Sequence, residues 1–344
     1  MSRNSFFLTD MWKEIAAEHK PLLSYVNAGL PYEDWKKSAK EKLMELLGEF
    51  PENVDPEPEI ESSVEQDGYI RERVVFNVDK YMAVPCVLLI PASRKPGEKL
   101  PAIVCSHGHG PYGKDPVAGV RGDAQHEAEI AKMNYNYAEK MVKEGFVTIS
   151  PDLRGFGERH EYIAATSTGR DLCNINFNKG ALFGIYTLTL NIWDIMKCID
   201  YLETREEVDS ERIGMMGLSY GGTVTTFASA VEPRIKAADI IGYVNPFASF
   251  AIRDSNYCGS QFVPNIYKYF DTYDIAGMIA PKPLLVEMGI YDHCFPFKDL
   301  SKGFEGIKTI YAAAGCQEKL WSDIHPGGHA HSGVRAPEFF KKYL

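Results

Sequence analysis

The chain of 344 residues carries 37 Lys and Arg against 47 Asp and Glu, for a net charge of −10, with 45% apolar and 24% charged residues. That balance suits a globular protein with a large core, and it lacks the clustered basic surface that a nucleic-acid partner requires. No apolar run approaches the roughly 20 residues needed to span a bilayer, so no membrane partner is expected.

Seven cysteines, Cys86, Cys105, Cys173, Cys198, Cys258, Cys294 and Cys316, form an odd and scattered set with no C-x-x-C pair. Such a set fits reduced thiols rather than a disulfide framework. Residues Met1–Lys20 lack the apolar centre of a secretory signal. A cytoplasmic protein is the expectation.

In chain order, residues 1–60 read as an N-terminal helical extension. Trp35, Leu43 and Leu46–Leu47 recur at near-helical spacing, and Pro21 and Pro31 divide the run. The acidic, proline-rich stretch Pro51–Glu61 reads as a surface linker. Residues 61–344 then read as one α/β domain. Tyr69–Phe76 and Met82–Ile90 are two expected strands, Ala102–Cys105 a buried strand, and Ala124–Glu144 a helix closed by Gly145. Phe146–Ser150 is a strand, Leu182–Leu202 a long apolar helix, Ile213–Gly217 a strand and Gly222–Val231 a helix. Ala237–Gly242, Pro283–Met288 and Lys319–Ile324 are further strands, and Glu338–Leu344 is a closing helix. The alternation predicts a mostly parallel sheet with helices on both faces. In such sheets the site lies at the carboxyl ends of the strands.

Three strand ends carry chemistry. Gly217–Leu218–Ser219–Tyr220–Gly221 is G-x-S-x-G between a strand and a helix. A serine on so sharp a turn needs neighbours without side chains, and the following helix aims its N-terminal dipole at the site. An incidental serine in a tight turn is the competing reading, and the strand–turn–helix context disfavours it. A serine hydroxyl needs a base, and the base needs an orienting carboxylate. Asp292 lies just past the strand Pro283–Met288 and is the candidate acid; Glu287, Asp271 and Asp274 fit that position less well. His329 follows Gly327 and Gly328 and is the candidate base, ahead of His331 and His325. The end of Ala102–Cys105 runs into Ser106–His107–Gly108–His109–Gly110, where one backbone N–H of an oxyanion hole is expected at His109 or Gly110 and the other at Tyr220. His107, Phe247, Tyr257 and Phe262 are candidate substrate contacts, and the segment 243–280 is read as a cap or pocket wall, with core packing of its aromatic residues the equal alternative. Asp152 and Arg154 are expected to pair and pin their loop. No metal is expected, because no carboxylate or cysteine sits at ligand spacing beside the histidines. No cofactor is expected either.

These segments, His107–Gly110, Asp152–Gly157, Val208–Gly222, Ala280–Pro296 and Gly327–His331, make residues 65–344 resemble the dienelactone-hydrolase-like and acetyl-xylan-esterase-like branch of the α/β hydrolases. The resemblance implies the α/β-hydrolase fold and a serine esterase, with Ser219 as nucleophile, Asp292 and His329 as its partners, and oxyanion donors near His109 and at Tyr220. Dienelactone hydrolases proper use a cysteine where this chain has Ser219. The shared motifs do not fix the stretch before residue 60 or the aromatic segment Tyr243–Tyr273, so substrate specificity does not transfer. The expected partner, a small-molecule ester of a short acyl group such as the acetyl ester of a sugar, is read from the mechanism alone. The same machinery also serves amide, thioester or carbon–carbon cleavage. The helices before residue 60 are expected either to cover the pocket or to supply a contact between copies in a homo-oligomer.

Overall fold

A computed structural model describes residues 5–161 and 172–344. Three helices lead, α1 (Leu8–Glu18), α2 (Tyr25–Ala28) and α3 (Tyr32–Leu47). Four strands follow, β1 (Glu59–Gln66), β2 (Tyr69–Asn77), β3 (Ala83–Pro91) and β4 (Leu100–Ser106). Next come α4 (Ala124–Met133), α5 (Tyr137–Lys143), β5 (Val147–Pro151), α6 (Leu172–Ala181) and α7 (Thr187–Thr204). The chain continues through β6 (Val208–Leu218), α8 (Tyr220–Val231), β7 (Ile235–Ile241), α9 (Ile266–Tyr269) and α10 (Thr272–Gly277). It closes with β8 (Leu284–Gly289), α11 (Phe297–Ala313), β9 (Leu320–His325) and α12 (Ala336–Tyr343).

The strands form one sheet in the order β1-β2-β3-β5-β4-β6-β7-β8-β9. The pairs from β1 to β5 are antiparallel, and every pair from β5 to β9 is parallel. This is the α/β-hydrolase fold. Its central strands are apolar on both sides because each feeds two cores. In β4, Ala102 and Val104 face the core under α3, α7 and α8, whereas Ile103 and Cys105 face the one under α5 and α12. Alternate residues of β6 divide the same way, with Met215 in the first core and Met216 in the second. Among the described residues no helix is long and apolar enough to cross a membrane.

Several elements depart from the sequence reading. The stretch read as the linker Pro51–Glu61 already contains the start of β1, an edge strand exposed along nearly its whole length; without a buried face it carries no apolar alternation to read. The expected helix 124–144 is two helices. Asn134 breaks it in the left-handed conformation (φ 51°), and its side chain donates to the carbonyls of His331 and Ser332. The helix expected over 182–202 begins only at Thr187. The 17-residue α11 was masked in the sequence by Gly303 and Gly306, residues that weaken a helical pattern. A Cβ on Gly303 would lie 1.7 Å from the Val244 carbonyl oxygen, so close packing demands the glycine.

The N-terminal α3 buries one stripe, Tyr32, Trp35, Ala39, Leu43 and Leu47, in the larger core. Trp35 is fully buried and donates its indole N–H to the Leu23 carbonyl at 2.8 Å. Trp35→Ala removes both that bond and the ring volume, so it is expected to cost about 3–5 kcal/mol in chemical denaturation. A loss under about 1 kcal/mol would show α3 to be a peripheral attachment.

Candidate active site

Ser219 sits between β6 and α8 with φ 61° and ψ −116°, a backbone conformation that L-residues adopt at a cost of roughly 1–3 kcal/mol. Two contacts hold it there: its N–H donates to Ile241 O at 2.9 Å, and its carbonyl accepts from Thr223 N–H at 3.0 Å. The flanking glycines serve close approach. A Cβ on Gly217 would stand 2.5 Å from the Gly221 carbonyl, and one on Gly221 would stand 2.1 Å from Ser106 O. The turn leaves Ser219 half-buried at the head of α8, where the first N–H groups, Tyr220 included, have no partner within the helix.

Asp292 is buried just past β8. Its Oδ2 lies 2.7 Å from His329 Nδ1, and its Oδ1 accepts the N–H groups of Cys294 and Phe295, both at 2.8 Å. A carboxylate so placed orients the ring with Nδ1–H toward it and leaves Nε2 as the basic nitrogen. The Phe295 ring stacks on the imidazole at 5.5 Å. Ser219 and His329 line a single cavity of about 350 Å³.

The structure distributes the other candidates unevenly. His109 lines that cavity with Gly108, whose N–H is already spent on the Tyr135 hydroxyl at 2.5 Å. Gly110 lies outside the lining, against the Glu129 carboxylate. Tyr257 lines the cavity and also a neighbouring one of about 200 Å³; Phe247 and Phe262 line only the latter and are not brought to the site. His107 is also withdrawn from it. The ring is fully buried, accepting the Leu153 N–H on Nε2 at 2.9 Å and facing Gly108 O through Nδ1 at 2.7 Å. Burial lowers its pKa to about 4, so the ring is a neutral brace for the strand-end loops. His331 is buried against Glu287, and His325 is buried at the end of β9. Asp152 and Arg154 do not pair with each other: Asp152 holds Lys114 at 2.9 Å, and Arg154 holds Asp194 and Asp79 at 2.7 Å each.

Sequence reasoning missed Tyr135, Asn256 and Gln261 on the cavity wall. It also missed Gly242, where a recognisable signal existed, since it ends a strand opposite the site. Its φ is 59°, and a Cβ there would stand 3.3 Å from the His329 ring and 3.4 Å from Asp292 Oδ2.

Residues 11–320 match the model of the Abhydrolase family. The chain belongs to that family. It is similar over 311 residues to "Putative hydrolase YtaP" of Bacillus subtilis (strain 168), with 24% identity over 89% of this chain and 98% of that one. Among solved structures, this abhydrolase is similar to a "putative acetyl xylan esterase" from Bacteroides fragilis NCTC 9343, with a TM-score of 0.75 and 17% identity over 97% of this chain and 85% of that one. It is similar too to the glucuronoyl esterase from Solibacter usitatus, with a TM-score of 0.66 and 16% identity over 91% and 94% of the two chains. At those identities the solved structures speak for the shared fold.

Two outcomes follow for this abhydrolase. Gly242→Ala puts a side chain on a left-handed residue and against the His329–Asp292 pair; it is expected to cost about 1–2 kcal/mol in denaturant unfolding and to move the imidazole signals in NMR spectra. His107 binds its proton more weakly when folded than unfolded, so the unfolded chain takes up the extra proton between pH 6.5 and about 4, and stability falls as pH falls through that window. His107→Gln keeps an acceptor for Leu153 N–H but does not titrate. Its unfolding free energy is expected to lose less than that of the wild type, by a few kcal/mol, between pH 7 and 4. Parallel pH profiles would remove His107 from that account.

Proposed function

We propose that this abhydrolase is a serine carboxylic-ester hydrolase in which Ser219 is the nucleophile, His329 the general base and Asp292 the residue that orients it. The observation that carries the reading is a strained serine sharing one cavity wall with an imidazole whose far nitrogen is 2.7 Å from a buried carboxylate. Ser219 Oγ attacks the ester carbonyl as His329 Nε2 takes its proton. The charge on the former carbonyl oxygen falls to the N–H groups of Tyr220 and His109. His109 is favoured because the Gly108 N–H is occupied by Tyr135. His329 then protonates the departing alcohol, and a water molecule repeats the attack to release the acid. These steps draw on no cofactor.

A short acyl group on a polar alcohol, such as an acetylated sugar, suits a cavity of about 350 Å³ that offers Ser255, Asn256 and Gln261 beside Tyr257. The structural neighbours, a "putative acetyl xylan esterase" and a glucuronoyl esterase, support the same choice. The scattered cysteines favour a reducing compartment, so we place the enzyme in the cytoplasm.

Ser219→Ala is expected to lower hydrolysis of p-nitrophenyl acetate at least about 10³-fold, and Asp292→Asn about 10³- to 10⁴-fold, both with unchanged circular dichroism. Retention of wild-type turnover by the Ser219 variant would refute the assignment.

A further inference from the structure

Three side chains, two on the wall of the site cavity and one buried behind it, have no part in ester hydrolysis. His109 comes from the loop after β4, Cys173 from the first turn of α6, and Cys258 from the segment between β7 and α9. Their candidate ligand atoms all lie within 4.8 Å of one another. His109 Nε2 is 3.2 Å from Cys258 Sγ. Phe156 meets the His109 ring at 5.3 Å between centroids and Tyr220 does so at 4.9 Å, so the imidazole is held by packing.

We propose that His109, Cys173 and Cys258 bind a soft divalent cation, Zn²⁺ above all, at the wall of the site cavity. Tetrahedral zinc with sulfur at about 2.3 Å and nitrogen at about 2.0–2.1 Å sets its ligand atoms about 3.5–3.8 Å apart. The observed triangle fits one face of that tetrahedron after small side-chain movements. Two sulfurs and an imidazole are the donor set that selects zinc over magnesium or calcium. The ion has an entrance, because His109 and Cys258 line the open cavity, whereas Cys173 is buried behind them. On binding, each thiol releases its proton to solvent and supplies its sulfur lone pair to the cation, two protons leaving for one Zn²⁺.

The expectation of no metal rested on spacing along the chain, and these ligands converge only in the fold. The ion would tie together three segments that meet at the cavity: the β4 loop, α6 and the wall. This inference goes beyond ester hydrolysis and does not depend on Ser219.

The test is titration of the fully reduced protein with Co²⁺ and then Zn²⁺. The expected result is a thiolate-to-cobalt charge-transfer band saturating at one equivalent, displaced by zinc, with two protons released per ion. Cys173→Ser and Cys258→Ser, each checked by circular dichroism, are expected to weaken binding at least about 100-fold, more than the loss of an outer hydrogen-bond partner does. Ser219→Ala is expected to bind as the wild type does. Absence of the band from the reduced wild type would overturn the proposal, as would a band kept by both serine variants or abolished only by Cys294→Ser. So would a chain that forms a Cys173–Cys258 disulfide on oxidation but takes up no metal when reduced.

Discussion

Two backbone contacts between the loops that follow β8 and β9 set the geometry on which the candidate site rests. The N–H of Ile290 donates to His325 O at 3.0 Å, and that of Tyr291 donates to Gly327 O at 2.9 Å. They continue the parallel pairing in which Gly289 stands opposite His325. A side chain at Gly289 would stand 2.2 Å from Gly328 O and force the loops apart. With the glycine, Asp292 and His329 reach each other at 2.7 Å although they leave different strands. A parallel sheet brings the carboxyl ends of sequence-distant strands side by side; the missing Cβ lets their loops touch.

The same histidine loop is also gripped from behind. Glu287 of β8 accepts from His331 at 3.1 Å and from the Ser332 N–H at 2.7 Å. Burial alone would raise its pKa, but the His331 charge and these hydrogen bonds hold it lowered. Its buried neighbour Asp239 is pushed the other way, by burial first and then by the Glu287 charge. Asn134 fastens the outer side of the loop through the His331 carbonyl at 2.8 Å. The residues just after His329 are thus fixed on two sides.

This division explains what the sequence disclosed. The fold was legible because its central strands are apolar on both faces, a pattern visible in Ala102–Cys105 and Ile213–Gly217. Ser219 was legible because the strain of its turn demands glycines two residues away on either side. Asp292 and His329 were legible as strand-end residues in the expected order. What stayed hidden is set by distant partners. His107 stands two residues from His109 with Gly108 between them, yet Leu153 N–H takes it into the core. Arg154 finds Asp194 and Asp79, while the Asp152 carboxylate is taken by Lys114 and the Glu158 N–H, partners that sequence proximity does not reveal. The kink at Asn134 answers to a carbonyl almost two hundred residues away.

The N-terminal segment belongs to this account more than a helical extension implies. The N–H groups of Leu22 and Leu23 donate to Lys268 O and Tyr269 O at 3.0 and 2.9 Å, and the Tyr32 hydroxyl donates to Ala280 O at 2.7 Å. Asp274 receives Ser24 Oγ at 3.1 Å and Tyr25 N–H at 3.0 Å, while Asp271 receives Phe247 N–H at 2.7 Å. Burial raises the pKa of Asp274 to about 7 and that of Asp271 to about 6, and neither acid has a cation bonded to it among the described residues. Uncharged donors at these acids fix position more than they add net stability. The segment they fix carries Asn256, Tyr257 and Gln261 on the cavity wall. A wall braced from behind by residues 22–32 is a shaped surface, so the form of the cavity depends on residues that never reach it.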